Sequence, residues 1–187
     1  MHKGENEDEM WDLYDSDRAL TGKKHRRGDP LKPGEYHLVI HVCIFNSKNE
    51  LLVQKRQPWK KGWSGMWDLT VGGSAVSGDS SQTAAERETE EELGLKIRLT
   101  GVRPYFTIHF DHGFDDYYLI TQDVDLSTLS LQEEEVQAVK WVNQEEVLGM
   151  AERGEMIPYF FLDKIFAMKE RNSARLEKDH TRVQDIE

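Results

Sequence analysis

The chain has 187 residues, enough for one domain with short tails, since single domains usually have about 100 to 200 residues. Its 35 acidic residues outnumber its 24 lysines and arginines, and the resulting net charge of -11 argues against a nucleic-acid-binding module, because like charges repel. Its apolar runs are far shorter than the roughly 20 residues of a membrane helix, and its acidic start lacks the apolar segment of a secretory signal, so we expect a cytoplasmic protein without a membrane or stable nucleic-acid partner.

The first 34 residues predict an extension that precedes the main domain. Residues 1–9 form an acidic lead, and an Asp-Ser-Asp turn between residues 10–15 and 19–24 predicts a small hairpin. Pro30 and Pro33 then interrupt regular structure. We therefore place the N-terminal hairpin extension at residues 10–34.

The main domain is predicted at residues 35–171, where β-rich runs alternate with segments of helix formers. The runs 37–45 and 50–56 are separated by a polar turn, which indicates an antiparallel pair. A helix at 80–93 is expected to end at Gly94. The remaining strands are predicted at residues 67–71, 96–100, 105–110, 117–123 and 138–142, the remaining helices at 144–153 and 158–171, and a polar tail at 172–187.

The clearest chemical pattern lies in the helix at 80–93. Glu88, Glu91 and Glu92 have the spacing i, i+3, i+4, which places their carboxylates on one helix face. Arg87 can pair with Glu91 at i+4 and orient its carboxylate. Because Mg²⁺ binds oxygen ligands and commonly combines a few carboxylates with substrate phosphates, the pattern predicts a cation that bridges acidic protein and acidic substrate.

The same segment resembles the box of the Nudix hydrolases, which reads G, five residues, E, seven residues, R-E-U-x-E-E-x-G-U, with U a bulky aliphatic residue. Gly73, Asp79 and the run RETEEELGL at 87–95 match it in register. Asp79 stands where the family has Glu, and Thr89 replaces an aliphatic residue. The resemblance implies an α+β Nudix fold, in which helices flank a mixed β-sheet as an α/β/α sandwich, here with the N-terminal hairpin.

The resemblance also implies the site and its chemistry. It assigns metal binding to Glu88, Glu91 and Glu92 with the carbonyl of Gly73, and an orienting role to Arg87, so that Arg87, Glu88 and Glu91 are the candidate catalytic residues. It implies Mg²⁺ or Mn²⁺ as cofactor and a MutT-like pyrophosphatase activity. The expected substrate is a small-molecule diphosphate, such as a nucleoside diphosphate linked to another moiety, and a homodimer is compatible with this assignment.

Several residues around the box have both a functional and a structural interpretation. For Lys55 and Arg56, which end a predicted strand, phosphate binding and an ordinary strand-end role are equally acceptable. Trp67 is the best pocket candidate of a tryptophan-rich loop, although packing is the default for its neighbours. Glu134 and Glu135 are candidates for a further acid, against the simpler interpretation as a solvated turn.

Four other features favour structural roles. Asp79, followed three residues later by Gln82, has the pattern of a helix N-cap, so we predict that Asp79 caps the helix. The basic run 23–27 is typical of a solvated strand edge. Residues 109–116 resemble a metal site in composition, but Asp-His-Gly between two strands favours a hairpin turn. Cys43, the single cysteine, is expected to be a buried small hydrophobe.

The hairpin followed by WSGMWDLTVGGS also resembles isopentenyl-diphosphate isomerases and the isomerase-like hydrolases. Those isomerases use a cysteine before the box and metal-binding histidines. Aligned on Trp67, the cysteine position is Gly72 and a histidine position is Ser74, while His25 and His37 are further apart than the corresponding pair. Diphosphate hydrolysis is therefore favoured, with an isomerase or a non-catalytic ligand-binding or regulatory domain as alternatives.

Overall fold

The structure, a computed structural model, describes residues 9–169. The predicted polar tail and all of the acidic lead except Glu9 lie outside these residues. Within the described range, no helix is long and apolar enough to cross a membrane.

The centre of the molecule is one mixed seven-stranded sheet. It follows an N-terminal hairpin of β1 (Met10–Tyr14) and β2 (Leu20–Arg26). Its strands are β3 (His37–Phe45), β4 (Leu51–Arg56), β5 (Trp67–Asp68), β6 (Val71–Ser74), β7 (Phe106–Phe110), β8 (Gly113–Thr121) and β9 (Val136–Val142). They follow the order β5-β4-β3-β8-β7, with β6 beside β3 and β9 beside β4. The long strand β3 pairs in parallel with β8 and antiparallel with β4 and β6, so the predicted mixed sheet is confirmed.

Helices cover both faces of the sheet, as the sandwich prediction requires. Helix α1 (Ser81–Leu93) packs on one face, where the small side chains Ala84 and Ala85 are fully buried. Helices α2 (Gln144–Glu152) and α3 (Leu162–Met168) pack on the other face. Alternating side chains of β3 supply both layers, because successive residues of a strand point to opposite faces. One layer includes Ile40, Val42 and Ile44, and the other includes Cys43 and Phe45.

The ends of α1 are fixed by local chemistry. Ser80 is the N-cap: its hydroxyl accepts a hydrogen bond from the Thr83 amide, and the Thr83 hydroxyl accepts one from the Ser80 amide, which completes a capping box. The prediction that Asp79 caps the helix is therefore wrong by one residue. The predicted stop at Gly94 is confirmed, since Gly94 takes the left-handed conformation (φ 64°) that glycine tolerates best.

The hairpin is attached to the main domain by its first strand. The Trp11 ring stacks on His37, with 4.1 Å between ring centroids. The Asp12 carboxylate accepts hydrogen bonds from the Ser77 hydroxyl (2.8 Å) and the Gly78 amide (2.7 Å), both in the loop that leads into α1. The hairpin is thus tied directly to the loop inside the box.

Three strand predictions need correction. Residues 96–100 are not a strand, although their apolar residues alternate: Leu99 is buried against the α1 side of the core, and its amide donates to the Glu86 side chain instead of to a neighbouring strand. The strand predicted at 67–71 is split into β5 and β6, because Leu69 and Thr70 turn the chain between β4 and β3. The strand predicted at 117–123 begins earlier, since β8 starts at Gly113. The turn predicted within 109–116 is therefore confined to the centre of that segment.

The last helix is shorter than predicted. The helix expected at 158–171 begins at Leu162, and the residues before it remain extended or turn-like. Trp67 and Met156 form an isolated β-bridge, and the Ile157 amide donates to the Trp67 carbonyl, which holds this segment beside β5. The segment that begins at residue 157 therefore starts next to β5, at the end of the strand order.

Candidate active site

The three candidate carboxylates of α1 have different surroundings. A Cβ added to Gly73 would lie 2.4 Å from Glu88 Cδ, so the Glu88 side chain packs directly on the Gly73 backbone. Glu92 is 6% exposed, and the Gln54 side-chain amide of β4 donates to Glu92 Oε2 at 2.9 Å. Glu91 is half exposed. The predicted carboxylates therefore differ in exposure to solvent: Glu92 is buried, and Glu91 is half exposed.

Arg87 links the box carboxylates to one another. Its Nη1 donates to Glu88 Oε1 at 2.9 Å and to Glu91 Oε2 at 3.2 Å. Its Nη2 donates to Asp79 Oδ2 at 2.9 Å and to the Ser74 carbonyl at 3.2 Å. One guanidinium thus fixes two candidate metal ligands relative to the end of β6, and Asp79 orients that guanidinium.

Burial and like charges shift the pKa of the box residues. Burial raises the pKa of Glu88 to about 7, although Arg87 opposes the shift and the charges of Glu91 and Glu9 add to it. Burial also raises the pKa of Glu92 well above its ordinary value, and the nearby Glu88 charge acts in the same direction. Burial alone would lower the pKa of Arg87, but the adjacent carboxylates raise it. A cation near these groups would offset the unfavourable burial of negative charge.

The donor set fits an open site for a divalent cation. Within residues 9–169, no three His, Cys, Asp or Glu side chains close into a complete metal site. Mg²⁺ does not require one, because it keeps several waters and is usually held by one or two carboxylates together with substrate phosphates. The buried, mutually repelling Glu88 and Glu92 are oxygen donors whose charges such an ion would neutralise.

A cavity of about 510 Å³ opens beside the box. Gly73 and Ser74 form part of its wall, so the cavity adjoins the backbone against which Glu88 packs. Its size suits a small organic ligand. The remaining lining residues are Arg27, Val39, His41, Arg56, Trp63, Asp68, Gly72, Asp115, Ile157, Pro158, Tyr159 and Phe160.

Polar side chains in the cavity wall are held in place by one another. The buried Asp68 carboxylate accepts a hydrogen bond from the Tyr159 hydroxyl at 2.7 Å and one from Arg56 Nη1 at 3.3 Å. His41 Nε2 lies 3.7 Å from Asp115 Oδ1. The wall therefore combines a fixed guanidinium with fixed carboxylates.

The structure separates the weaker candidates from one another. Arg56 lines the cavity, whereas Lys55 and Trp67 lie outside its lining. The Trp67 ring instead packs under the ammonium of Lys140, with 4.9 Å between the nitrogen and the ring centroid. The substrate-binding roles predicted for these residues have no test in this geometry and stay predictions.

The two downstream acids also differ in position. The charge of Glu135 raises the pKa of Glu92, which places Glu135 near the box, and the Glu135 carboxylate pairs with Lys60. Glu134 contributes its backbone carbonyl to a hydrogen bond from Trp59 Nε1. Of the two candidates for a further acid, Glu135 therefore has the better placement.

Sequence reasoning missed several cavity residues. Arg27 belongs to the basic run that we expected at a solvated strand edge, yet it is partly buried and lines the cavity. Tyr159 and Phe160 lie in a segment that we predicted as helix. His41 and Val39 could have been inferred from the alternation of β3, because both lie on the same strand face as Cys43. They lie toward the start of the strand, which α2 and α3 leave uncovered.

Comparison with known proteins identifies the family. A family model described as the NUDIX domain matches residues 35–160. A protein of Listeria monocytogenes named as an uncharacterized Nudix hydrolase is 56% identical over 161 residues, which cover 86% of this chain and 95% of that protein. The chain belongs to the Nudix family. The prediction of a Nudix hydrolase is confirmed at this level, and Nudix hydrolases generally need a divalent metal and act on small-molecule diphosphates.

Two further comparisons bear on the fold and the branch. The crystal structure of DR0079 from Deinococcus radiodurans matches with a TM-score of 0.68 at 22% identity, covering 87% of this chain and 100% of that chain, which confirms the fold. An isopentenyl-diphosphate Delta-isomerase of Pectobacterium atrosepticum is 34% identical over 122 residues, covering 60% of this chain and 66% of that protein. The likeness of this Nudix protein to the isomerase branch is therefore distant.

Proposed function

We propose that this Nudix protein hydrolyses a P–O–P linkage in a nucleoside diphosphate linked to another moiety, or in a related organic diphosphate, with Mg²⁺ or Mn²⁺ as cofactor. The observation that carries the proposal is the contact network of Arg87, which joins Glu88 and Glu91 at the edge of a ligand-sized cavity. This network contacts the cavity wall, since Glu88 packs on Gly73 and Arg87 donates to the Ser74 carbonyl.

Glu88, Glu91 and Glu92, with the carbonyl of Gly73, are the proposed cation ligands. A divalent cation bound there would neutralise phosphate oxygens and lower the pKa of a bound water. Arg87 keeps the Glu88 and Glu91 carboxylates oriented toward one another, and this fixed arrangement reduces the reorganisation needed when the diphosphate binds. Glu92, buried and bonded to Gln54, anchors the set to the sheet.

The attacking water must lose a proton. Glu91 is half exposed and Glu135 lies near Glu92, so these two are the candidates to accept that proton. Arg56, held by Asp68, presents a guanidinium that can bind phosphate oxygens in a fixed orientation. Lys55 neighbours Arg56 on β4 and adds positive charge at the same strand end.

The other part of the cavity can accept the group attached to the diphosphate. Trp63 and Phe160 are 55% and 75% exposed, although both line the cavity, so their rings remain available to a planar group. Trp67 contributes to this wall indirectly, by holding residues 157–160 in place.

The isomerase alternative is disfavoured by the space around Gly72. A Cβ at this position would lie 2.8 Å from His41 Nδ1, so a cysteine would require the His41 ring to move. The single cysteine, Cys43, is fully buried in the core and does not line the cavity. His25 and His37 each pack against Trp11.

A metal-supplemented hydrolysis screen tests the proposal. Nucleoside diphosphate sugars, dinucleoside polyphosphates, NADH, FAD, CoA and damaged nucleoside triphosphates should include at least one substrate, and EDTA should abolish its turnover. Authentic isopentenyl diphosphate should not yield dimethylallyl diphosphate. Turnover by fully chelated protein would contradict the metal mechanism, and isomerisation at enzymatic rates would favour the alternative. The cytoplasmic location and the homodimer stay predictions.

A further inference from the structure

Arg27 brings a positive charge to the cavity from outside the family's common domain. It follows β2 directly, whereas the NUDIX model begins at residue 35. In the cavity wall it is grouped with Gly73, on which the Glu88 side chain packs, and with Ser74, whose carbonyl accepts a hydrogen bond from Arg87. A guanidinium at this wall lies on the same side of the molecule as the proposed diphosphate site.

The position of Arg27 is fixed by its neighbours. Its Nη1 donates to Glu9 Oε2 at 2.6 Å, and its amide donates to the Glu9 carbonyl at 2.8 Å. Both side chains of this ion pair are more than two-thirds buried. The hairpin that carries the pair is itself bonded to the box loop through Asp12. These contacts therefore hold the Arg27 side chain in a fixed position at the cavity wall.

The contact with Glu9 does not exhaust the binding capacity of Arg27. A guanidinium has five N–H donors in a planar fork, and the Glu9 contact engages Nη1. A guanidinium that keeps one carboxylate partner can bind a phosphate oxygen through its other donors. The ion pair then serves to hold the donor group at the wall.

We propose that Arg27 binds a phosphate oxygen of the substrate diphosphate and that Glu9 holds the guanidinium at the cavity wall as its counter-ion. The inference rests on the proposed diphosphate hydrolysis and adds a substrate-binding residue from the N-terminal hairpin. It implies that the hairpin is a working part of the site, since its removal would take away one phosphate contact.

The test measures binding of methylenediphosphonate, a non-hydrolysable diphosphate, to the full-length chain by isothermal titration calorimetry in the presence of Mg²⁺. R27Q should raise the dissociation constant at least tenfold, and R27K should give an intermediate loss, because an ammonium keeps the charge but lacks the planar fork. K23Q removes the same charge from an exposed position on the hairpin and should leave the affinity unchanged. Mn²⁺ binding, followed by electron paramagnetic resonance, should be equal in all variants.

Glu9→Gln distinguishes phosphate binding from a structural role of the ion pair. If Arg27 acts on phosphate, E9Q keeps the guanidinium and one oxygen acceptor for it, so E9Q weakens binding less than R27Q does. If the ion pair merely holds the hairpin, E9Q and R27Q weaken binding equally, which would overturn the inference. Equal affinity of wild type and R27Q would also overturn it, while leaving the proposed function intact. Failure of the wild-type chain to bind methylenediphosphonate would overturn the proposed function and this inference with it.

Discussion

His37 is expected to make the stability of the protein depend on pH in a way that a single substitution can isolate. Its ring is 8% exposed and stacks on Trp11, and its Nδ1 has no hydrogen-bond partner. Burial lowers the pKa of His37 from 6.5 to about 4, and the charge of Asp115 opposes this shift without reversing it. His37→Phe keeps an aromatic ring against Trp11 but removes the titrating group.

The size of the effect follows from the two pKa values. An unfolded chain takes up the proton near pH 6.5, whereas the folded chain resists it until about pH 4, so stability is lost as pH falls through this window. The complete shift corresponds to about 3 kcal/mol, of which about 2 kcal/mol is already lost at pH 5. Glu88 affects stability in the opposite direction. Because its pKa is raised to about 7, the metal-free protein loses stability as pH rises from the ordinary pKa of a glutamate toward about 7.

Because the total pH profile mixes these opposing groups, the measurement is the difference between H37F and wild type. Urea unfolding in EDTA at pH 7 and at pH 5 should show that H37F gains about 2 kcal/mol relative to wild type on acidification. H109Q, which replaces another exposed histidine, is the control and should follow the wild-type profile. Parallel wild-type and H37F profiles would refute the argument that burial of His37 controls this window.

Four further substitutions test the box. Glu91→Gln and Glu92→Gln should each lower turnover by at least the roughly 10- to 100-fold that the loss of a supporting metal-site residue costs. Without metal, both variants should have a melting temperature at or above that of the wild type, because negative charge is removed from the helix. Asp79→Asn should lower turnover less than about tenfold, about 1.4 kcal/mol, since Asn retains an acceptor for the arginine. Gly73→Ala should abolish most turnover, because its methyl group would meet Glu88 Cδ at 2.4 Å.

Steady-state kinetics, Mn²⁺ binding and thermal melting check all three predictions. Wild-type turnover in either glutamine variant would contradict metal binding by that residue. An inactive D79N with an unchanged melting temperature would move the metal site toward Asp79. If G73A were fully active, the close packing of Glu88 on β6 would not matter for catalysis.

The part of the site that depends on local spacing could be predicted from the sequence. Glu88, Glu91 and Glu92 share a face because a helix repeats every 3.6 residues, and Gly94 ends the helix because glycine tolerates a positive φ. Asp79 was misassigned by one residue, since Ser80 offers an equally good cap. Local chemistry alone does not decide between two adjacent capping residues.

The cavity depends on contacts between distant segments and was predicted poorly. Arg27 reaches the site because a separate hairpin docks on the box loop, and no pattern in the basic run records that contact. Tyr159 and Phe160 were assigned to a helix, but hydrogen bonds between Trp67 and residues 155 and 157 hold the preceding chain beside β5, and the helix begins only at Leu162. Tertiary contacts overrode local propensity there.

The burial of Cys43 gives the chain a built-in reporter of global opening. The thiol is fully buried on β3, where Cys43 pairs with Leu119 of β8, and burial raises its pKa, which suppresses the reactive thiolate. Cys43 faces α2 and α3, so alkylation by a thiol reagent requires this helical layer to detach or the sheet to open. Detachment of the hairpin alone would leave Cys43 protected, so the alkylation rate can distinguish local release of the N-terminal strands from unfolding of the domain.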